Sequence, residues 1–215
     1  MVKQSDQRID KGLYDTAIEL ALDTSDPDRP FFALDLGANE GLATLRIAHL
    51  ACRRNRAVRI VAVDVGADIL ARLRARLEDN DLSDQVQVVC GTVGERSGTG
   101  TLNDTGSHST RTLTPHPETR RTVRSPFADL DDLLAGVEVI DVLKADIEGA
   151  ELRLIENYGD LLGRVRVAVF ELPHDVCDAE RGAALLRAAG LVHHRRIWSE
   201  RAYSIDNFWR DQTDA

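Results

Sequence analysis

The segment Asp35-Leu36-Gly37-Ala38-Asn39-Glu40-Gly41 places an acid and two glycines at the end of a short apolar run, where a helical pattern begins. A glycine-rich turn between strand and helix lets a ligand approach the backbone at the carboxyl edge of a parallel sheet. Asp64 ends the next apolar run about 20 residues on, the remove at which an acidic side chain accepts hydrogen bonds from ribose hydroxyls. The dinucleotide pattern G-x-G-x-x-G is missing, because Asp35 stands where its first glycine would be. No G-x-x-x-x-G-K-[ST] is present to cradle a triphosphate. An acid at this turn repels a pyrophosphate and attracts a cation. S-adenosylmethionine, a nucleoside bearing a sulfonium and an ammonium, meets both demands; the plainer alternative is a tight turn with a structural Asp-Gly. Asp35, Gly37, Ala38, Asn39, Gly41, Asp64 and Val65 are the predicted cofactor-binding residues, joined by Gly91, Thr92 and Val93 after the third apolar run. A side chain at Gly37 is predicted to abolish binding without unfolding the protein, by intruding where backbone meets ligand.

Two further constellations end later apolar runs. Lys144-Ala145-Asp146-Ile147-Glu148-Gly149-Ala150-Glu151 carries three carboxylates in close succession. Such a cluster is costly unless a cation or a proton is shared. Glu151 suits a helix N-terminus, where first-turn acids are favoured, so Asp146, which joins the predicted cofactor set, and Glu148 are the functional candidates. Phe170-Glu171-Leu172-Pro173-His174 supplies a Glu and a His just past a buried strand. They read as a general-base pair, or, with Asp146, as a divalent-metal site of mixed oxygen and nitrogen donors; the metal-free reading is the one taken forward.

These groups need elements to hold them. Ile9, Leu13, Ala17 and Leu20 recur at helical spacing before Ser25-Asp26-Pro27. Strand-like runs then alternate with helical patterns: strands over 31–36, 58–64 and 86–90, helices over 41–53 and 67–78. From 91 to 125 the chain is rich in Gly, Thr, Ser, Arg and His, with room for a short hairpin but no strong period. The alternation resumes with a short helix over 129–134, strands over 139–146 and 165–172, and helices over 150–158 and 179–189. Two strand-like runs, 191–198 and 202–209, are joined by a short connection and form an antiparallel hairpin. Strand-helix alternation predicts a parallel α/β sheet covered by helices on both faces. Residues 1–30 are predicted as an N-terminal helix and linker, and 31–215 as one domain with a polar insertion or lid at about 101–125.

Composition bounds the function. Hydrophobic residues at 43% and charged residues at 29% suit a globular domain with a sizeable core. A net charge of −9 disfavours generic binding to nucleic acid or to an anionic membrane. No uncharged apolar run is long enough to span a bilayer, and the polar start reads as no signal peptide. Cys52, Cys90 and Cys177 are odd in number and widely spaced, which fits a reducing cytoplasm better than a disulfide framework. Lysines are few among many arginines, a bias shared with proteins of GC-rich bacteria.

The motif at 35–41, Leu130-Asp131-Asp132-Leu133, the run from Asp141 to Glu151 and Phe170 to His174, in that order and spacing, resemble the FkbM-type S-adenosylmethionine-dependent methyltransferases. The resemblance runs from Phe31 to about His174. It implies a Rossmann-like class I methyltransferase fold: a seven-stranded, mostly parallel sheet in the order 3-2-1-4-5-7-6, with one antiparallel strand. It implies methyl transfer to a hydroxyl of a sugar or natural product, or to an amide nitrogen. Asp64-Val65 departs from the Glu-Pro more usual in that family.

The predicted catalytic residues are His174 as base, Glu171 as its orienter and Asp146 lining the site, with His108, His116 and Glu148 in reserve. Arg111, Arg120, Arg121 and Arg124 on the insertion would hold an anionic acceptor or form a solvated basic face. The predicted partner is a small-molecule acceptor, and a homodimer is open to the chain. Competing readings are an NAD-type oxidoreductase and a non-catalytic cofactor-binding partner subunit.

Overall fold

The computed structural model describes residues 12–106, 111–113, 115 and 117–211; the early turn at Ile9 and the reserve residues His108 and His116 lie outside them. Strand β1, Phe31–Leu36, is buried along its whole length. Alternate side chains of a strand leave on opposite faces, so Phe31 and Ala33 enter one core while Phe32, Leu34 and Leu36 enter another. Helices cover both. On the first face lie α1 (Asp15–Thr24), α2 (Leu42–Arg53) and α3 (Ala67–Asp79). On the second lie α4 (Leu130–Leu133), α5 (Glu151–Asn157), α6 (Gly159–Leu162) and α7 (Ala179–Ala188). Helix α3 shows how the pattern is met: Leu70, Leu73 and Leu77 recur at helical spacing and all are buried.

The other strands of the large sheet are β2 (Val58–Asp64), β3 (Val86–Cys90), β7 (Ile140–Ala145), β8 (Val165–Pro173), β9 (His193–Ser199) and β10 (Tyr203–Trp209), in the spatial order β3-β2-β1-β7-β8-β10-β9. Counted within this sheet alone, that is the order 3-2-1-4-5-7-6. Only β10 runs against the direction of the other six strands, and it sits one place in from the edge, between β8 and β9. Strand order reverses between β1 and β7, where Asp35 pairs with Lys144 and Leu36 with Ala145. A crevice opens outside the carboxyl ends of strands at such a reversal.

Described residues of the polar middle segment form a second sheet. Strands β4 (Thr99–Asp104), β5 (Arg111–Thr112) and β6 (Arg121–Pro126) pair antiparallel in the order β5-β4-β6. In β4 the buried positions alternate, but they are Gly100, Leu102 and Asp104, of which only Leu102 is a large hydrophobe. That composition hid the period of two. Asp104 is 2% exposed and accepts from the Gly106 amide at 2.7 Å and Arg121 Nε at 2.9 Å, with Arg111 Nε at 3.4 Å. Burial works against its charge, yet these donors hold its pKa below the ordinary value. Among the described residues no helix is long and apolar enough to cross a membrane.

Candidate active site

The turn after β1 is built on positive φ at Gly37 (73°), Asn39 (51°) and Gly41 (86°). For Asn39 this is an uncommon conformation, of the kind that persists where surrounding structure enforces it. Hydrogen bonds do so: Gly37 and Ala38 donate to the Val63 carbonyl at 2.9 and 3.0 Å, and the Asn39 amide donates to Asp64 Oδ2 at 2.9 Å. The Gly66 amide donates to Asp64 Oδ1 at 3.1 Å. The Asp64 carboxylate is thus fixed from both sides and keeps lone pairs for further donors. Burial pushes its pKa up, against these amides and the charge of Lys144.

A cavity of about 380 Å³ opens at this edge. Its wall includes Gly37, Asn39, Asp64, Val65, Gly91, Thr92 and Val93 of the predicted cofactor set, and Asp146 and Glu171 of the predicted catalytic set. Ile69, Leu102 and Leu113 add apolar surface near Val65, and Glu148, Asp175, Glu200 and Tyr203 line it as well. Two polar atoms of the wall residues are buried without a hydrogen-bond partner among the described residues: Thr92 Oγ1 and Arg111 Nη1. Buried polar groups normally find partners, so each such atom calls for an explanation.

Four predicted residues stand elsewhere. Asp35 is fully buried and outside the cavity wall, and the cation it faces belongs to the chain itself. Lys144 Nζ lies 3.2 Å from Asp35 Oδ1, and Thr44 Oγ1 donates to Asp35 Oδ2 at 2.6 Å. Ala38 is buried in the core, and Gly41 packs on α3, where a Cβ would meet Leu73 Cδ1 at 2.1 Å. His174 is exposed and absent from the wall, although Pro173 and Asp175 on either side belong to it. Its amide donates to the Ala202 carbonyl at 2.8 Å, and its Nδ1 lies 3.2 Å from the Arg201 carbonyl. The imidazole thus rests against the connection between β9 and β10, at the exposed edge of the cavity. Nor do Asp146, Glu171 and His174 converge on a metal: no such cluster of three donors occurs among the described residues.

Gly37 corrects a second expectation. A Cβ there would lie 1.7 Å from the Asp146 carbonyl oxygen. The close approach that demands glycine is that of the chain's own loop after β7, so a side chain at Gly37 threatens the fold before it threatens a ligand. Of the insertion arginines, Arg111 and Arg121 pair with Asp104, and the Arg121 side chain is 67% exposed.

Lys144 is the residue that sequence reasoning passed over. Its ammonium donates to the carbonyls of Leu36 at 3.2 Å and Gly37 at 2.7 Å, and Asp146 Oδ2 is 4.0 Å away. Burial opposes its charge, but Asp35, Asp146 and Glu171 outweigh that and hold its pKa above the ordinary value. It ties the turn after β1 to the end of β7. The available signal was a lysine inside a strand whose other residues, Asp141 apart, are apolar. Glu151 does comparable work: fully buried, it accepts from the amides of Ile147 and Gly149, both at 2.9 Å. It thereby shapes a loop in which Glu148 (φ 54°) and Gly149 (φ 96°) are left-handed.

Solved structures share this architecture at low sequence identity. A methyltransferase FkbM from Methylobacillus flagellatus KT aligns with a TM-score of 0.55 and 14% identity over 84% of this chain, which spans 44% of that one. The N-terminal domain of human METTL16 in complex with SAH aligns at 0.52 and 15%, over 95% of this chain and 69% of that one. A ribosomal protein L11 methylase from Lactobacillus delbrueckii subsp. bulgaricus aligns at 0.52 and 13%, over 95% and 80%. The chain thus spans less than half of the FkbM structure and most of the other two. Comparison with curated proteins gives no match. A model of the methyltransferase FkbM domain matches residues 35–204, from the acid of the first turn to Ser204 on β10, and the chain belongs to that family of methyltransferases.

Proposed function

We propose that the chain uses S-adenosylmethionine to methylate a hydroxyl of a small molecule, a sugar or natural-product intermediate. The observation that carries this reading is Asp64: a carboxylate oriented by two backbone amides, at the end of the strand beside the glycine turn, on the wall of a cavity at the strand-order reversal. The cavity fits the cofactor on its chemistry. Asp64 suits ribose hydroxyls, Val65, Ile69 and Val93 offer apolar surface to an adenine, and the buried unpartnered Thr92 hydroxyl awaits a polar edge. Asp146, on the wall beside Gly37, suits a cationic centre.

When bound, S-adenosylmethionine supplies a methyl group already activated by its sulfonium, so alignment of the acceptor carries much of the catalysis. A hydroxyl must also lose its proton. Glu171, 9% exposed and on the cavity wall, is the carboxylate placed to accept that hydrogen bond and take the proton. His174, held outside, is left a role at the rim. Lys144 and Glu151 keep the two loops in register, and Leu102 and Leu113 of the insertion add apolar surface to the wall.

One observation favours a second reading. The wall carries the carboxylates of Asp64, Asp146, Glu148, Glu171, Asp175 and Glu200 against the single guanidinium of Arg111. That balance suits an amine acceptor, and hence N-methylation, as well as a hydroxyl, and it disfavours a phosphate or carboxylate.

The test is the affinity of Asp64→Ala for S-adenosylhomocysteine. Loss of a charge-assisted hydrogen bond predicts weakening by about 1–3 kcal/mol in a folded protein. Unchanged affinity would remove the ribose assignment.

A further inference from the structure

Among the described residues of the cavity wall Arg111 is the one cation, and the proposed reaction leaves it unused. It comes from β5, the shortest strand of the small sheet, and its side chain is only 12% exposed. The guanidinium is held at two corners. Nε faces Asp104 Oδ2 at 3.4 Å, and Nη2 faces Asp68 Oδ1 on α3 at 3.3 Å. The third corner, Nη1, is buried and has no hydrogen-bond partner among the described residues. A guanidinium only donates and cannot shed its charge, so an unused buried corner is a standing cost to the fold.

The surroundings locate that corner. A Cβ built on Gly66 would lie 2.2 Å from Arg111 Nη1, so the guanidinium rests against the backbone just past Asp64 and Val65. Gly66 has an ordinary φ of −94°, so its want of a side chain answers to space and not to backbone conformation. This is the stretch of wall that carries the ribose acid. The second unpartnered atom, Thr92 Oγ1, belongs to the same cavity. Leu102 and Leu113, also from the insertion, supply the apolar surface of that wall. A ligand group meeting Arg111 must be flat or small enough to lie between such residues and must offer a lone pair. The ring nitrogens of adenine do both, and a guanidinium plane also packs well on an aromatic ring.

We propose that Arg111 is a cofactor-binding residue supplied by the insertion, its guanidinium donating to a ring nitrogen of the adenine of S-adenosylmethionine. The proposal rests on the reading of the cavity as the site of that cofactor. It makes the small sheet a part of the cofactor pocket and gives Asp104 and Asp68 the role of aiming Arg111.

Calorimetric titration with S-adenosylhomocysteine tests it. The wild-type protein comes first: no binding there would fail the cofactor reading itself, separately from the role of Arg111. With wild-type binding in hand, Arg111→Met should weaken affinity about ten- to a hundredfold, the effect of losing a hydrogen bond to a charged group. Gly66→Ala, which displaces Nη1 while sparing the arginine, should weaken it in the same direction. Arg121→Ala, which removes the exposed partner of the same Asp104, should leave affinity unchanged. If Arg111 matters only to the fold, Arg111→Met lowers the melting temperature and binds like wild type, and the proposal is overturned. A set of 1-, 3- and 7-deaza analogues adds a readout that a structural role cannot move. One of them should lose affinity for the wild type and none for Arg111→Met. Equal losses by both proteins for every analogue would also overturn it.

Discussion

At the scale of single residues, burial separates the side chains that face the reaction from those that hold the site together. Glu171 lies on the cavity wall and His174 does not. Glu171→Gln is therefore expected to cost about 10²–10⁴-fold in turnover, the range for losing a general base, with cofactor affinity kept. His174→Ala should remain near wild type. Methyl transfer from labelled S-adenosylmethionine to an acceptor found by screening measures both, and the reverse ranking would return the base to the histidine. Lys144 belongs to the other class. Its ammonium neutralises the fully buried Asp35, and removing one partner of a buried pair strands the other's charge. Lys144→Met should lower stability by about 3–5 kcal/mol in chemical denaturation; a variant as stable as the wild type would contradict this role for the pair. The acids at 35, 64, 146 and 171 were legible in sequence because charges at strand ends stand out against apolar runs. Which of them face a ligand was not legible, since that depends on the lysine one strand away.

The elements that carry these residues meet in two loops, after β1 and after β7. Their closeness is set by Gly37, where an added Cβ would lie 1.7 Å from the Asp146 carbonyl. Positive φ adds to the penalty for any side chain. Gly37→Ala should thus lose at least about 2 kcal/mol of stability, read as a lowered denaturation midpoint. A fully stable variant that fails to bind would restore the simpler idea of a ligand clash. Glu151 makes the same region sensitive to pH. Burial, with the nearby Asp146 charge, pushes its pKa to about 7 from an ordinary 4.5, against the amides it accepts from. The folded state therefore holds the proton more tightly than the unfolded state. Stability from this group is full below about pH 4.5 and is lost as pH rises toward about 7. The stability difference between wild type and Glu151→Gln should fall across that window by up to about 1.4 kcal/mol per pH unit. Parallel curves would show that Glu151 titrates normally. Strands β1, β2, β7 and β8 of the large sheet were readable almost to the residue because they are largely buried on both faces and their runs are mostly apolar, whereas the exposed, polar edge strand β9 begins two residues later than its pattern suggested. The strands of the insertion were not, because their buried positions are filled by glycine and a paired aspartate.

Across the whole molecule, seven strands in the order shared with class I methyltransferases create one crevice, and a small polar sheet supplies part of its wall. Alternating strands and helices announced the large sheet, and the motifs announced the family. The acceptor left no comparable mark, and the cavity wall draws on β8, on β10 and on loops far apart in sequence. Residues such as Glu200 and Tyr203 meet Asp146 only once β10 has inserted between β8 and β9. On the function proposed above, this crevice is a site for S-adenosylmethionine and not for a dinucleotide. Calorimetric titration of the wild-type protein with S-adenosylmethionine, S-adenosylhomocysteine and NAD puts it to the test most directly. Saturable one-to-one binding of the first two, with no heat from NAD, is the predicted result; binding of NAD with neither of the others would contradict the account.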